Sequence, residues 1–139
     1  MKRILLVVLG LALFATINTS CSTTVEPPIS APSIPNNPTV SWDQAIKYIG
    51  EKVTICGPVV GTHYANTSKG KPTFLNVGRD HPDPNRFTVV IWGQYRSNFG
   101  YPPPEEYYLD NKICVYGLVT EYEGIPQIEV QRPSQIQIQ

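Results

Sequence analysis

Basic and aromatic side chains are interleaved between His63 and Arg96, and this stretch has the strongest chemical potential in the chain. Lysine and arginine neutralise phosphates while aromatic rings stack on bases, and together they are the ingredients of single-strand nucleic-acid binding. The stretch therefore predicts a site for single-stranded nucleic acid or another polyanion. The predicted ligand-binding residues are Lys69, Lys71, Arg79, Arg86, Trp92, Tyr95 and Arg96, and Tyr64, Phe74 and Phe87 complete the aromatic set.

The same residues have a plain structural interpretation. Aromatic rings fill cores, and lysine and arginine keep loops soluble. In the segment that ends at Trp92, residues Phe87, Val89 and Ile91 form one alternating set, whose apolar character favours an inward orientation. That orientation leaves Arg86 and Trp92 on the outer side of the segment, where both are available to a ligand.

His81 and two nearby carboxylates suggest a metal site. His81 lies in RDHPDP (79–84) with Asp80 and Asp83, and an imidazole with carboxylates can ligate a divalent metal. Neighbouring loop positions rarely direct all their ligands to one point, however, and Asp and Pro are ordinary loop residues. Spacing alone also assembles no nucleophile, base and orienting acid. The sequence therefore predicts a non-enzymatic domain with no metal site and no cofactor.

The first 21 residues have the order of an export signal. Lys2 and Arg3 precede an apolar run of about a dozen residues, which is too short to span a bilayer, and small residues then lead to Cys21. A cysteine in this place is the layout of a bacterial lipoprotein signal, with Ser20 in a favoured slot and Asn18 where leucine is usual. We expect a lipid on Cys21, with plain cleavage as the alternative.

Two further segments follow the signal. Residues 22–40 are rich in Pro, Ser and Thr, a composition that favours an extended tether. Residues 41–139 are enough for one small domain.

Of the 11 basic residues, Lys2 and Arg3 lie in the signal, which leaves 9 against 11 acidic ones, so overall charge gives no reason for strong phosphate binding. Ser22 after the cysteine favours the outer membrane; without a lipid the protein would be periplasmic or extracellular.

The domain is expected to be all-β with short helices. A helix with capping-box spacing at Ser41 and Gln44, and an apolar side at Ala45, Ile46 and Ile49, should end at Gly50. Helical turns are expected at Glu105–Leu109, after a run of prolines. Period-two and β-branched patterns predict strands at 53–59, 73–77, 87–92, 113–119 and 125–130, with a turn at Glu123 and Gly124.

The first and fourth predicted strands have similar sequences, EKVTICGPVV (51–60) and NKICVYGLVT (111–120). Gly57 and Gly117 occupy matching positions, and a mid-strand glycine often marks a barrel corner. Pro58 cannot donate a ladder hydrogen bond, so we expect it at a bulge or an unpaired stretch. Five strands with a helical piece between the third and fourth match the order of a five-stranded OB-fold barrel.

Three segments, KPTFLNVG (71–78), FTVVIWG (87–93) and IPQIEV (125–130), resemble the small OB-fold domains of bacterial exported proteins. Such domains sometimes accompany nuclease domains of the thermonuclease type and are usually described as nucleic-acid-binding. The resemblance covers roughly residues 43–136. It implies the fold much more specifically than the ligand, and it assigns no ligand residues.

Cys56 and Cys114 both occupy slots between apolar residues in the two similar strands, which are neighbours in an OB-fold. Export permits a disulfide, so we expect a bond between these residues, with two independent thiols as the alternative.

Together these features predict a monomeric, non-enzymatic OB-fold protein of the cell envelope. The first hypothesis for its ligand is single-stranded nucleic acid or another polyanion. The second is an adaptor lipoprotein that binds another envelope protein, and an enzyme comes third.

Overall fold

The computed structural model describes residues 38–139, so the predicted signal, the lipidation at Cys21 and most of the tether lie outside the described residues. The strands are β1 (Thr39–Ser41), β2 (Lys52–Tyr64), β3 (Thr73–Val77), β4 (Phe87–Ile91), β5 (Lys112–Tyr122), β6 (Ile125–Glu129) and β7 (Ile136–Ile138). Two short α-helices are α1 (Gly93–Arg96) and α2 (Pro104–Tyr107), and 3₁₀ turns span Trp42–Tyr48, Ser97–Phe99 and Pro133–Gln135. Between residues 38 and 139, no helix is long and apolar enough to cross a membrane.

Strands β2 to β6 close into a barrel. The strand order is β2-β3-β4-β6-β5, and pairing between β2 and β5 completes the circle. The β4–β6 pair is parallel, and the other pairs within the barrel are antiparallel. This five-stranded barrel, with helical segments between its third and fourth strands, is an OB-fold, as the sequence predicted.

Two three-residue strands extend the β2–β5 side of the barrel. Strand β1 pairs with β2 in parallel, and β7 pairs with β5 in the antiparallel sense. Thr39 and Val40, which composition assigned to the tether, thus belong to the folded domain. The composition-based boundary is too late because β1 is held by pairing with a distant strand and has no periodic pattern of its own.

Within the barrel, the long strands β2 and β5 each pair with two neighbours, and this bends them around the barrel. Strand β2 changes from β5 to β3 after Pro58, and β5 changes from β2 to β6 after Leu118. Gly57 and Gly117 each lie just before these points, as expected for barrel corners. A side chain at Gly117 would overlap Ile128 of the neighbouring strand β6.

Pro58 itself is aligned with Lys112 of β5, so it lies within a paired stretch rather than at the bulge or unpaired stretch expected for it. The irregularity of β2 falls slightly later, between Val59 and Gly61, where β2 pairs with β3. Because one extra residue reverses the alternation, Gly61 and His63 face outward together with Asn76 and Phe74, their partners on β3.

The barrel interior is filled by alternating apolar side chains. Phe87, Val89 and Ile91 are each 0% exposed and belong to the main core, which confirms the inward orientation predicted for them. Thr88 and Val90 of the same strand point to the opposite side, and they too are largely covered. The outer face of β4 is therefore also largely shielded from solvent.

The segment after Ser41 is a 3₁₀ helix, and its predicted features are only partly confirmed. Ser41 precedes the helix but makes no side-chain capping bond, and Ile46 and Ile49 are exposed, so Ala45 alone of the predicted apolar side is buried. Gly50 follows with a φ of +90°, as expected of a glycine that ends a helix. The tighter 3₁₀ repeat changes which side chains share a face.

Trp42 anchors the same segment to the barrel. A side chain at Gly57 or at Gly78 would overlap the Trp42 ring. The ring therefore lies directly against both backbones, and each glycine provides the space that it occupies.

Cys56 and Cys114 form a disulfide, as predicted. The two residues are directly opposite in the β2–β5 pair, and their Cα atoms are 4.1 Å apart. Both face outward, on the side of the wall away from the core. The bond joins the strands that close the barrel.

Candidate ligand groove

A groove of about 690 Å³ lies on the outer face of the barrel. Its floor comes from β3 and β4, one wall from the β2–β3 loop, and the other from the turn between β5 and β6. A volume of several hundred Å³ is typical of ligand sites. The lining residues are Thr62, His63, Ala65, Ser68, Phe74, Asn76, Asp80, His81, Arg86, Thr88, Tyr122, Glu123, Ile125 and Gln127.

The floor combines one aromatic ring with a chain of polar groups. Phe74 is half-buried and lies beside Asn76 and Thr88, which are mostly covered. The Asn76 amide donates to Asp80 Oδ1 at 2.9 Å, and the Thr88 hydroxyl donates to Asn76 Oδ1 at 3.5 Å. These bonds fix the orientation of the amide, so the polar pattern at the floor is preset.

Asp80 lies across the end of β2. A side chain at Gly61 would overlap its carboxylate, and Asp80 Oδ1 also accepts the backbone N–H of His81 at 2.8 Å. The carboxylate is thus held against the strand by two hydrogen bonds. Asp83 has a similar role, because its Oδ1 accepts the backbone N–H of Asn85 at 2.8 Å. Both carboxylates order the loop before β4, and residues 38–139 contain no cluster of three metal-ligating side chains.

The β5–β6 hairpin supplies the wall that sequence reasoning missed. Tyr122 is 63% exposed, and it lines the groove with Glu123, Ile125 and Gln127. Glu123 and Gly124 both have positive φ values, which confirms the predicted turn. These residues are far in sequence from the basic and aromatic stretch. The available signal was the fold itself, since the corresponding loop of OB-folds contacts ligands.

Arg86 lines the groove, and among residues 38–139 it is the one member of the predicted ligand-binding set that does so. Its guanidinium donates to the Asp83 carbonyl at 2.7 Å, which positions it at the end of the floor. The carboxylates of Asp80 and Glu123 outnumber this guanidinium in the lining. The groove itself therefore carries less positive charge than the sequence suggested.

The guanidinium of Arg96 is bonded to other residues of the protein. It makes a two-pronged ion pair with Glu105, with both N–O distances at 2.6 Å, and its guanidinium carbon lies 3.8 Å from the centre of the Tyr64 ring. The Glu105 bond raises the pKa of Arg96. Burial raises the pKa of Glu105, but hydrogen bonds, chiefly from Arg96, and the charge of Arg96 outweigh burial and leave it lowered. This pair ties α1 to α2, so Arg96 has a structural role.

The remaining basic residues lie around the groove. Lys69 and Lys71 are exposed on the β2–β3 loop, one and three residues after Ser68 of the lining. Arg79 is exposed and forms an ion pair with Asp83 at 3.5 Å. Flexible side chains at these positions can approach a ligand that extends out of the groove.

Trp92 and Tyr95 line a separate depression of about 320 Å³, on the other side of the β2–β3 loop. Trp92 stands outside the main core, as predicted, but it is half-buried. The depression is completed by Gly70, Gln94, Glu129 and Gln131. The structure therefore divides the predicted site between two places on the surface.

No family model matches this chain, and no curated protein does so either. Among solved structures, it is similar to an aspartyl-tRNA synthetase from Entamoeba histolytica, with 12% identity over 73% of this chain and a TM-score of 0.49. It is also similar to an asparaginyl-tRNA synthetase from Pyrococcus horikoshii, with 19% identity over 71% and a TM-score of 0.45. The chain covers 21% and 22% of these two proteins.

A third similar structure is the hypothetical protein ygiW from E. coli. Identity is 17%, the match covers 76% of this chain and 94% of that one, and the TM-score is 0.45. At such identities the similarity concerns the fold alone.

Proposed function

We propose that this domain is a non-catalytic binding module whose groove takes single-stranded nucleic acid. The observation that supports the proposal is the position of the groove. It lies over the second and third barrel strands and between the loops that OB-folds use for oligonucleotides. Phe74 and Arg86, an aromatic ring and a cation, both line it.

The arrangement favours bases at the floor and phosphates at the margin. Phe74 and the exposed ring of Tyr122 offer stacking surfaces, and the fixed Asn76 amide can bond to a base edge. Arg86 reaches one phosphate, and Lys69 and Lys71 can reach others along the β2–β3 loop. Because Asp80 and Glu123 repel phosphates, we expect few phosphate contacts and a modest salt dependence.

Tyr122→Ala should weaken binding of a labelled oligothymidylate, measured by fluorescence anisotropy on the full chain. One lost stacking contact is worth about 1–3 kcal/mol, or roughly 5- to 150-fold in Kd. Tyr122 is 63% exposed, so the melting temperature should change little. Tyr101→Ala is the matched control, since Tyr101 is 93% exposed and does not line the groove. Equal effects of the two substitutions would contradict the proposal.

Arg86→Gln should change the salt dependence instead. Removing one phosphate contact lowers the slope of log Kd against log salt by about 0.7 for a single strand. The same titration at several salt concentrations gives this slope. An unchanged slope would place the phosphates elsewhere, and the absence of oligothymidylate binding by the wild type would remove nucleic acid as the ligand.

A protein ligand is the second candidate, favoured by one observation. Exposed apolar side chains surround the edge strand β7, with Tyr101 93%, Tyr107 49% and Ile138 37% exposed. They line a shallow cavity of about 480 Å³ with Phe99 and Ile136. Such a surface suits an adaptor that binds another envelope protein. Tyr107→Ser should then abolish binding of that envelope protein and leave the Kd for oligothymidylate in the groove unchanged.

We further propose that the protein is exported and attached to the membrane through Cys21. The support is the order of charge, apolar run and cysteine in the first 21 residues. Cells that express the wild type and are fed a labelled fatty acid should yield labelled protein. Cys21→Ser should yield unlabelled protein in the soluble fraction, whereas label that persists in this variant would contradict the attachment.

A further inference from the structure

The depression beside Trp92 differs chemically from the groove. Glu129 brings a carboxylate, and among the described residues that line the depression there is no lysine or arginine. A carboxylate repels phosphate, and no cation among the described residues of this lining offsets Glu129 as Arg86 offsets the carboxylates of the groove. Trp92 and Tyr95 are therefore poorly placed for the nucleic-acid role that the sequence suggested for them, and another ligand class has to be considered.

The indole of Trp92 is fixed in place. Trp92 directly precedes α1, and its ring packs against Gly70, where a Cβ would lie only 2.9 Å from two ring atoms. The Gly93 backbone N–H donates to the Gly70 carbonyl at 2.9 Å, and this bond ties the β2–β3 loop to the start of α1. The ring is thus a preformed apolar surface, whose unburied part borders the depression.

The polar groups around the ring provide both donors and acceptors. Gln94 and Gln131 each present an amide with an N–H₂ and a carbonyl oxygen, and the Glu129 carboxylate accepts. A pyranose ring has the complementary chemistry, with an apolar face of C–H groups and a margin of hydroxyls that donate and accept. A quaternary ammonium would gain from the rings and Glu129, but it would leave both amides without partners.

We propose that this depression binds a neutral pyranose unit of a glycan, with Trp92 under the sugar ring and Glu129 accepting from its hydroxyls. A volume of about 320 Å³ is sufficient for one or two sugar units. The depression is adjacent to the groove, because the Gln127 amide of the groove lining donates to Glu129 Oε1 at 3.5 Å. Gln127 lines the groove and Glu129 lines the depression, about 7 Å apart along the same face of β6.

Tryptophan fluorescence tests the proposal directly. The chain has 2 tryptophans, so Trp42→Phe leaves Trp92 as the only source of tryptophan emission. The full chain with this substitution is titrated with chitotetraose and, separately, with maltotetraose. We expect a saturable change in Trp92 emission with at least one of these neutral sugars, while tetramethylammonium and oligothymidylate should leave the emission unchanged.

Glu129→Gln, added to the same background, tests whether the sugar bonds to Glu129 or only contacts the Trp92 ring. Glu129 is exposed, so the fold should be kept, and we expect at least tenfold weaker sugar binding. Glu121→Gln is the matched control, since Glu121 is exposed on β5 and does not line the depression. The proposal is overturned when neither sugar changes the emission up to the millimolar range, when Glu129→Gln binds as tightly as the control, or when tetramethylammonium or the oligonucleotide produces the saturable change instead.

Discussion

Replacing both bonded cysteines, Cys56→Ser with Cys114→Ser, should lower the free energy of unfolding by about 4 kcal/mol. The cysteines are 58 residues apart in sequence, and removing the bond frees a loop of that length in the unfolded chain. Urea unfolding at neutral pH, followed by circular dichroism, measures the change. The m-value should also rise, because the unbridged chain exposes more surface.

A reductant provides the control for this experiment. Wild type unfolded with excess dithiothreitol should show the stability of the double variant, because both lack the same covalent constraint. A wild type insensitive to dithiothreitol throughout its transition, together with a double variant of unchanged stability, would show that Cys56 and Cys114 are not bonded in the protein.

Arg96→Met should destabilise the domain by roughly 3 kcal/mol, because it leaves the carboxylate of Glu105 largely buried without its cation. The side chains of the pair are 20% and 21% exposed, so solvent relieves only part of this cost. Arg79→Met is the matched control. Its ion pair with Asp83 is at 3.5 Å and more exposed, so its loss should change stability by less than about 1 kcal/mol.

The loss of stability caused by Arg96→Met should become smaller as the pH falls. The pKa of Glu105 is lowered in the folded state, since Arg96 outweighs the effect of burial. Its contribution to stability is therefore present above the ordinary value of 4.5 and is lost as the pH falls through the lowered value. In Arg96→Met, protonation of Glu105 removes the buried charge, so the stability difference from wild type should shrink in acid. A difference that is constant from neutral pH to about pH 3 would contradict this account.

The strands of the barrel were predictable because their patterns are local. Thr73–Val77 was predicted with the bounds that β3 has, and the prediction for β4 was one residue too long. Alternation also fixed which side of β4 faces the core. The strands β1 and β7 could not be predicted, since each has three residues and is held by pairing with strands distant in sequence.

The candidate site was harder to predict, because its residues meet only after folding. The residue type of Arg96 and its basic, aromatic surroundings made it a candidate phosphate ligand. In the folded protein, however, α2 brings Glu105 to Arg96, and the guanidinium pairs with that carboxylate instead. Tyr122 reaches the groove through the pairing of β5 and β6, which no pattern in the basic stretch reveals. Residue type thus indicated which chemistry was present, and tertiary contacts decided which of these side chains remain available.

The three-residue strand β1 also determines how the domain responds to tension. Because β1 runs parallel to β2, a pull through the N-terminal segment draws β1 along its own axis and strains its hydrogen bonds together rather than one by one. Ser41 is aligned with Cys56, which is bonded to Cys114 on the next strand. If β1 were drawn away, the seam between β2 and β5 would still be held covalently. A domain suspended by its N-terminal segment would therefore keep its barrel closed, and the groove at the opposite end of β2 would keep its shape.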